Sequence, residues 1–203
     1  MAKYELIQTP LKDLLLLKPR VFPDERGYFF EVYAERDIRA LGIETPFVQD
    51  NLSRSKRGVL RGLHFQTKCP QAKFVGVVRG AIFDVAVDLR RGSPTYGKWH
   101  AEILSDENHA FFYLPVGFAH GFLTLSEVAD VFYKCSDYYC PEGEGGIVWD
   151  DPHLAIKWPM EVKPIVSAKD QALSPLAGFD SPFTYQPKIK LSSTPKENKE
   201  NEE

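Results

Sequence analysis

Several features are scarce in this chain of 203 residues, and each scarcity excludes a class of protein. The three cysteines, Cys69, Cys135 and Cys140, form no Cys-x-x-Cys pair, which argues against a disulfide framework. The longest apolar run near the start, Leu14 to Leu17, is too short to span a membrane and does not resemble a signal peptide. We therefore expect a cytoplasmic protein.

Excess charge of either sign is also lacking. The chain has 25 basic and 28 acidic residues, giving a formal net charge of −3. Such a balance provides no general attraction for nucleic acid or for anionic membranes. Any anion must therefore be bound by local basic groups.

Short β-type segments dominate the chain between Leu14 and Asp150. They are rich in Val, Phe, Tyr and Leu and are separated by Gly, Pro, Asp and Ser. The predicted strands are Leu14–Phe22, Tyr28–Tyr33, Gly58–Gln66, Lys73–Val78, Ala81–Leu89, Trp99–Leu104, Ala110–Leu114, Gly121–Leu125 and Val128–Tyr139. Arg79-Gly80 is typical of a tight hairpin turn, and Glu35–Leu41 predicts one short helix. Many short strands with few helices indicate an all-β antiparallel barrel or jelly roll.

The length and composition predict one domain, over residues 1–185. The final stretch, residues 186–203, is polar, and Ser192–Glu203 contains no large apolar residue. We expect this tail to be disordered, because such a composition cannot bury enough apolar surface to offset the entropy of ordering.

The strand predicted over Ile82–Leu89 has two different faces. Phe83, Val85, Val87 and Leu89 point one way and predict a packed core, while the alternate positions carry Asp84 and Asp88. The second face could line a wet cavity of a small barrel or could simply be exposed to solvent. The strand alone leaves both possibilities open.

Two further segments carry chemistry. Gly58–Gln66, followed by Lys73, and Pro115–Phe122 together resemble the two halves of the cupin signature. Metal-binding cupins have a His-x-His step and a carboxylate in the first half, whereas here Gln66 replaces the second histidine and Lys73 the carboxylate. The remaining His64 and His120 are too few to hold zinc or iron alone. The sequence therefore predicts a cupin-type barrel without a metal, and it leaves His100, His109 and His153 as structural residues.

Most of the chain, from about Pro19 to Asp170, resembles the dTDP-4-dehydrorhamnose 3,5-epimerase family. The resemblance lies in motifs that follow one another in order: FPDERGYFFE (22–31), FVQDNLS (47–53), GVLRGLHFQ (58–66), FDVAVDLR (83–90), PVGFAHGF (115–122), Tyr133-Lys134, Tyr138-Tyr139 and SAKD (167–170). It implies a homodimer acting on a dTDP-linked 4-keto-6-deoxy sugar without a cofactor. The protons on carbons 3 and 5 of that sugar are acidic because each carbon neighbours the ketone.

The resemblance also implies a catalytic set. His64 is the expected base, and Asp170 is its expected partner, fixing the tautomer and stabilising the imidazolium. Lys73 is expected to stabilise the enolate, and Tyr133 to act as the acid on the opposite face. We expect Asp84 to orient His120, so that the two form a supporting pair.

The remaining expected residues bind substrate. Arg26 and Arg61 are the predicted diphosphate clamps, because guanidinium groups match phosphate oxygens. Simple alternation places Arg61 and His64 on opposite strand faces, so a shared site requires a break in the pleat at Gly62. The other predicted contacts are hydrogen bonds from Gln49 and Asn51 to the nucleotide, stacking of Phe29 and Tyr139 on thymine, and a segment ending at Glu31 that reaches the partner's site.

Three alternatives remain at this stage. A related epimerase acting at a single carbon would share the His-Asp pair, although Tyr133 favours action at both carbons. A non-catalytic sugar-nucleotide-binding cupin would be expected to lose His64, Lys73 or Tyr133. A metal-dependent cupin enzyme is disfavoured by Gln66 and Lys73.

Overall fold

The computed structural model describes residues 3–160 and 163–187, so most of the predicted tail, from residue 188 onward, lies outside the described residues. These residues form fourteen strands, namely β1 (Tyr4–Gln8), β2 (Leu15–Pro19), β3 (Phe22–Asp24), β4 (Gly27–Phe29), β5 (Gln49–Lys56), β6 (Val59–Gln66), β7 (Lys73–Arg79), β8 (Ala81–Asp88), β9 (Trp99–Ser105), β10 (Phe111–Leu114), β11 (Phe118–Thr124), β12 (Val128–Cys135), β13 (Glu144–Gly146) and β14 (Ile165–Val166). The helices are α1 (Glu35–Ala40), α2 (Ala168–Gln171) and one 3₁₀ turn, Pro141–Gly143. Among the described residues, no helix has the length and apolar character needed to cross a membrane.

The strands form two large sheets and one small hairpin. The first sheet has the order β1-β2-β10-β7-β12-β5, and the second has the order β13-β6-β11-β8-β9, with β14 added to β6. Every pairing between these strands is antiparallel except that of β14 with β6. The arrangement confirms the predicted all-β, cupin-type jelly roll.

Apolar side chains fill the space between the two sheets. This inner cluster takes Val75, Phe112 and Val131 from the first sheet and Ile82 and Phe122 from the second. Burial of such side chains contributes about 1.5–3 kcal/mol each. The inner cluster therefore holds the sheets together and leaves the remaining interior for polar residues.

The outer face of each sheet is covered as well. Ile38 of α1 packs near Phe74 on the first sheet, and Trp158 packs near Leu60 on the second. Because both faces of both sheets are covered, their central strands are nearly continuously buried. This is why β11 is buried at every position from Phe118 to Thr124.

Strand β8 shows the effect of covering both faces of a sheet. Both of its faces are buried, and Asp84 and Asp88 are fully buried, so the alternative of solvent exposure is wrong. Asp88 is compensated by Arg90, whose Nη2 donates to its Oδ2 at 2.8 Å, and by Ser93 Oγ at 2.6 Å. Asp84 turns toward the other sheet, where the cavity lies.

Several predicted boundaries were wrong for local reasons. Arg79-Gly80 does not close a hairpin, because β7 and β8 belong to different sheets. Strand β5 was missed because polar side chains, Gln49, Asn51 and Ser53, occupy its alternate positions. The predicted strand Val128–Tyr139 ends at Cys135, and the predicted strand Tyr28–Tyr33 ends at Phe29.

Candidate active site

A cavity of about 320 Å³ opens between the two sheets. Its lining includes Gln49, Asn51, His64, Lys73, Tyr133 and Tyr139. A smaller adjoining space of about 130 Å³ brings in Arg61, His120 and Ser53. The two spaces share His64, Lys73 and Tyr133, so these three side chains lie where the cavities meet.

His64 projects from β6 and is bound by a carboxylate from the far end of the chain. Its Nε2 lies 2.8 Å from Asp170 Oδ1, and 32% of the His64 side chain remains exposed. Asp170 is positioned by α2, where the Ser167 hydroxyl accepts from the Asp170 N–H at 3.0 Å, and by Gly62 N–H, which donates to Asp170 Oδ2. Burial lowers the pKa of His64, and Asp170 opposes this effect by raising it. The imidazole is therefore held ready to accept a proton on its other nitrogen.

His120 lies beside His64, since the two are paired across β6 and β11. Its Nε2 lies 2.9 Å from both carboxylate oxygens of Asp84, which is fully buried. Burial raises the pKa of Asp84, while His120 and Lys73 oppose the increase. The expected supporting pair is thus in contact in the structure.

Lys73 and Tyr133 approach the cavity from the opposite sheet. Lys73 begins β7 and Tyr133 lies on the neighbouring β12, with the Lys73 Nζ 5.8 Å from the centre of the Tyr133 ring. Burial lowers the pKa of Lys73, although Cys135, Asp84 and other acidic groups raise it. Burial also raises the pKa of Tyr133, so the phenol keeps its proton at neutral pH.

The donor set at the cavity does not fit a divalent cation. One nitrogen of His64 and one of His120 are already engaged by carboxylates, and the Lys73 ammonium shares the same space. Across residues 3–160 and 163–187, no three or more His, Cys, Asp or Glu side chains converge as a metal site. An ammonium repels a cation and offers no lone pair while it is protonated.

Gly62 allows Arg61 and His64, which lie on either side of it on β6, to face the same space. Its φ of +114° and a register shift in the pairing of β6 with β11 interrupt the strict alternation of β6. A Cβ at this position would lie 2.5 Å from the Cα of Gly121, so only glycine fits. As a result, Arg61 and His64 both line the smaller space, and Arg61 Nε donates to Ser55 Oγ at 3.0 Å.

Gln49, Asn51 and Tyr139 line the larger cavity at its outer end. Gln49 Nε2 donates to Asn51 Oδ1 at 3.1 Å, and its Oε1 accepts from the Tyr139 N–H at 3.1 Å. Tyr139 reaches the cavity from the loop after β12 and not from the strand predicted over Val128–Tyr139. Tyr139 is 55% exposed, so part of its side chain is accessible to a ligand.

Three predicted binding residues lie away from the cavity of their own chain. Arg26 sits in the turn of the β3–β4 hairpin, where its Nη2 lies 2.6 Å from Asp24 Oδ2. Phe29 is 65% exposed, and Glu31 forms a salt bridge with Lys3 at 2.5 Å. One chain therefore does not assemble this part of the predicted site.

Other residues at the cavity were missed by the sequence analysis. The Ser53 hydroxyl is buried and has no hydrogen-bond partner among the described residues. Glu144 accepts from the Tyr139 hydroxyl at 2.8 Å and pairs with Lys169 Nζ at 2.5 Å. The alternation of polar residues along β5 was the available signal for Ser53, whereas β13, which carries Glu144, has no sequence pattern of its own.

The other three histidines lie outside the cavity lining. His100 Nε2 lies 2.7 Å from Glu102 Oε1 on β9, and the His109 ring packs 4.6 Å from the ring of Tyr28. His153 is largely exposed. Their contacts are those of structural residues.

Comparison with known proteins identifies the family. The family described as dTDP-4-dehydrorhamnose 3,5-epimerase matches residues 8–178. The enzyme of that name from Methanothermobacter thermautotrophicus is 53% identical over 178 residues, covering 87% of this chain and 96% of the relative. The Pseudomonas aeruginosa enzyme is 52% identical over 171 residues, covering 84% and 94%.

A solved structure agrees with the sequence relatives. The dTDP-6-deoxy-D-glucose-3,5-epimerase of Legionella pneumophila, in complex with dTDP-4-keto-L-rhamnose, superposes with a TM-score of 0.87 at 48% identity. The match covers 91% of this chain and all of that one. On these similarities in sequence and fold, the chain belongs to the dTDP-4-dehydrorhamnose 3,5-epimerase family, as its motifs predicted.

Proposed function

We propose that this protein inverts carbons 3 and 5 of dTDP-4-keto-6-deoxy-D-glucose, giving dTDP-4-keto-L-rhamnose. The observation that carries the proposal is that His64 and Tyr133 lie on opposite sheets and border the same cavity. Epimerisation removes a proton from one face of a carbon and returns one to the other face. A base and an acid on facing sheets meet that requirement.

The base is His64. Asp170 engages Nε2, so Nδ1 is the nitrogen that takes the proton from the sugar. Asp170 stabilises the imidazolium that forms, and burial lowers the pKa of the ring, so that it is neutral and free to accept a proton in the resting enzyme. Asp84 holds the imidazole of His120, which forms part of the cavity wall beside His64.

Lys73 stabilises the enolate. When carbon 3 or carbon 5 loses its proton, negative charge develops on the oxygen of carbon 4. An ammonium fixed in a buried site stabilises that charge more strongly than one in water. The reaction moves protons without oxidation or reduction, so the enzyme needs no redox cofactor.

Tyr133 returns the proton from the opposite face. Burial raises the pKa of its phenol, so the group is protonated when the enolate forms. The Lys73 ammonium lies over the ring and stabilises the phenolate that remains after transfer. Tyr133 then recovers a proton from solvent before the next turnover.

The nucleotide is bound at the outer end of the cavity. Arg61 faces the diphosphate, Gln49 and Asn51 supply hydrogen bonds, and Tyr139 stacks on the thymine. These roles are supported by the position of Gln49, Asn51 and Tyr139 on the wall of the larger cavity, by that of Arg61 on the wall of the adjoining smaller one, and by the exposure of Tyr139. Aromatic stacking and guanidinium–phosphate pairing suit the two halves of dTDP.

The protein acts as a homodimer whose sites are shared between subunits. Arg26, Phe29 and Glu31 lie on an exposed segment away from their own cavity, as expected of residues that complete the partner's site. Co-expression of Arg26→Ala with His64→Asn tests this directly, because a mixed dimer contains one intact site. Activity should recover to about a quarter of wild type if the sites are shared. Recovery of none would contradict the shared site.

We also propose a cytoplasmic location, on chemical grounds. The substrate is a charged nucleotide sugar, and Cys69, Cys135 and Cys140 are all free thiols, as in a reducing compartment. Fractionation of cells that express the tagged chain, with a cytoplasmic and a membrane marker, measures the location. Recovery in the membrane or secreted fraction would contradict it.

The test of the activity is proton NMR in deuterium oxide after treatment with a chelator. Purified protein is mixed with dTDP-4-keto-6-deoxy-D-glucose, and the signals of carbons 3 and 5 are followed. Loss of both proton signals with inversion at both carbons supports the proposal. Exchange at one carbon would identify a single-site epimerase, and binding without exchange would identify a sugar-nucleotide-binding cupin. Activity that is lost with the chelator and restored by a metal would also contradict the proposal.

A further inference from the structure

Two of the three cysteines meet beside the nucleotide end of the cavity. Cys69 lies in the loop between β6 and β7, and Cys140 lies in the loop after β12. The Cys69 thiol lies near enough to raise the pKa of the Cys140 thiol, although the residues are distant in sequence. Cys69 is exposed and Cys140 is partly exposed, so reagents in solution can reach the pair.

The side chain of Gln66 ties the two cysteine segments together. Its Nε2 donates to the Cys69 carbonyl at 3.3 Å, and its Oε1 accepts from the Cys140 N–H at 2.8 Å. Gln66 also lines the larger cavity, and Tyr139 directly precedes Cys140. A change at the cysteine pair is therefore transmitted to two side chains of the cavity wall.

We propose that Cys69 and Cys140 form a dithiol modification site, which low-molecular-weight disulfides such as oxidised glutathione convert to an intramolecular disulfide that weakens nucleotide-sugar binding. The third thiol, Cys135, is buried and does not take part. The site differs from the catalytic set, since neither cysteine contacts His64, Lys73 or Tyr133 in the described structure. Its effect on binding rests on the proposed function, whereas formation of the bond does not.

The reaction proceeds by two exchanges. The Cys69 thiolate attacks the reagent disulfide, forms a mixed disulfide and releases one thiolate. The Cys140 thiolate then attacks the Cys69 sulfur, forms the internal disulfide and releases the second thiolate. The two released thiolates take up the two protons that the cysteines lost. The protein is oxidised by two electrons, and the reagent is reduced by two.

Closing this bond must move the loops. A disulfide joins its sulfurs at about 2.05 Å, which is closer than two unbonded thiols can approach. The segment from Tyr139 to Cys140 and the loop at Cys69 therefore approach each other, and Gln66 between them is displaced. Because Tyr139 is the proposed thymine platform, we expect KM to rise while kcat changes little.

The first experiment counts thiols. Reduced protein is treated with oxidised glutathione, quenched with an alkylating reagent under denaturing conditions and analysed by peptide mass spectrometry. The proposal predicts loss of two of the three thiols, no retained glutathione, and a peptide pair that links Cys69 to Cys140. Stable glutathione adducts, or three alkylated thiols, would overturn it. This result is independent of the enzyme's substrate.

The second experiment measures the consequence for binding. KM of wild type should rise severalfold on oxidation and return on reduction. The matched control, Cys69→Ser, should have the same KM before and after treatment, because it cannot form the bond. Equal KM values for oxidised and reduced wild type, with the disulfide present, would overturn the coupling to the site.

A third variant tests the chemistry of the pair. The Cys140 thiol donates to Glu142 Oε2 at 3.3 Å, and this carboxylate raises the pKa of the thiol. Glu142→Gln removes the negative charge and makes the thiolate more abundant at neutral pH. The internal disulfide should therefore form faster in this variant than in wild type. A slower reaction would contradict the assignment of Cys140 as the resolving thiol.

Discussion

Asp170 Oδ1 lies 2.8 Å from His64 Nε2, although the two residues are 106 positions apart. The other oxygen of Asp170 accepts from Gly62 N–H, and the Asp170 N–H is held by Ser167. The carboxylate is thus anchored on one side to β6 and on the other to α2. This arrangement fixes the orientation and the tautomer of the imidazole.

Asp170→Asn should retain the fold and lose most of the activity. Without the carboxylate, the imidazolium formed by proton abstraction is not stabilised, and the tautomer is no longer fixed. We expect kcat to fall about 10²- to 10⁴-fold, as in other His-Asp systems, with little change in KM. The control is Asp180→Asn, which alters an exposed carboxylate of the same C-terminal region. A variant with wild-type kcat would contradict the pairing's role.

The pH dependence should reflect the burial of His64. Burial lowers the pKa of the free enzyme's base below its ordinary 6.5, so the acid limb of kcat/KM should have its midpoint below pH 6.5. Asp170→Asn removes a contribution that raises this pKa, so any residual activity should extend further into acid. A wild-type midpoint at or above pH 6.5 would contradict the assignment.

The same lowered pKa has a consequence for stability. Between the folded pKa and 6.5, the unfolded chain binds a proton at His64 that the folded chain does not bind. The free energy of unfolding therefore falls as the pH decreases through this window, and it rises with increasing pH. His64→Asn should remove this part of the pH dependence, which denaturant unfolding at several pH values measures. An unchanged slope would show that His64 is not its source.

Lys73→Met should separate stability from activity. Burial is the largest influence on the pKa of Lys73 and outweighs the attraction of Cys135 and the nearby carboxylates, so the charged side chain costs free energy. We expect a higher unfolding temperature, by about 2–4 °C for each kcal/mol gained, and a kcat reduced about 10²- to 10³-fold. Lys56→Met, at an exposed site on β5, is the control. A destabilised or fully active variant would contradict this role.

Ser53→Ala should weaken substrate binding without weakening the fold. The Ser53 hydroxyl has no partner among the described residues, so its removal costs no protein hydrogen bond. A lost hydrogen bond to substrate should raise KM about two- to tenfold. Ser55→Ala is the matched comparison on the same strand, and it should be destabilising because Ser55 accepts from Arg61. An unchanged KM would remove Ser53 from the binding set.

The sequence was sufficient to predict the fold class and most of the residues that line the cavity. His64, His120 and Asp84 lie on strongly apolar strands, where period-2 alternation predicts which side chains share a face. The motifs around them place the same residues in one family. For this reason, the convergence of His64, Lys73 and Tyr133 in one cavity could be expected before the structure was known.

Other features depended on contacts that no local pattern encodes. The contact of Asp170 with His64 was implied by the family resemblance alone, because it joins distant segments and the short helix that carries Asp170 has only four residues. The cavity-facing side of β5 is polar, so the strand lacked the apolar alternation that identifies a half-buried strand. Tyr139 reaches the cavity from a loop, where strand parity has no meaning. In each case, tertiary contacts decide the position of the residue.

The central claim is that His64 removes a proton on one face and Tyr133 returns one on the other. Proton NMR of Tyr133→Phe in deuterium oxide tests it, with Tyr138→Phe, an exposed tyrosine outside the cavity lining, as the control. The account predicts that the protons on carbons 3 and 5 still exchange for deuterium, because His64 is intact, while inversion is strongly reduced. Inversion at the wild-type rate would contradict the assignment of Tyr133. Loss of both exchange and inversion would contradict the assignment of proton removal to His64 alone.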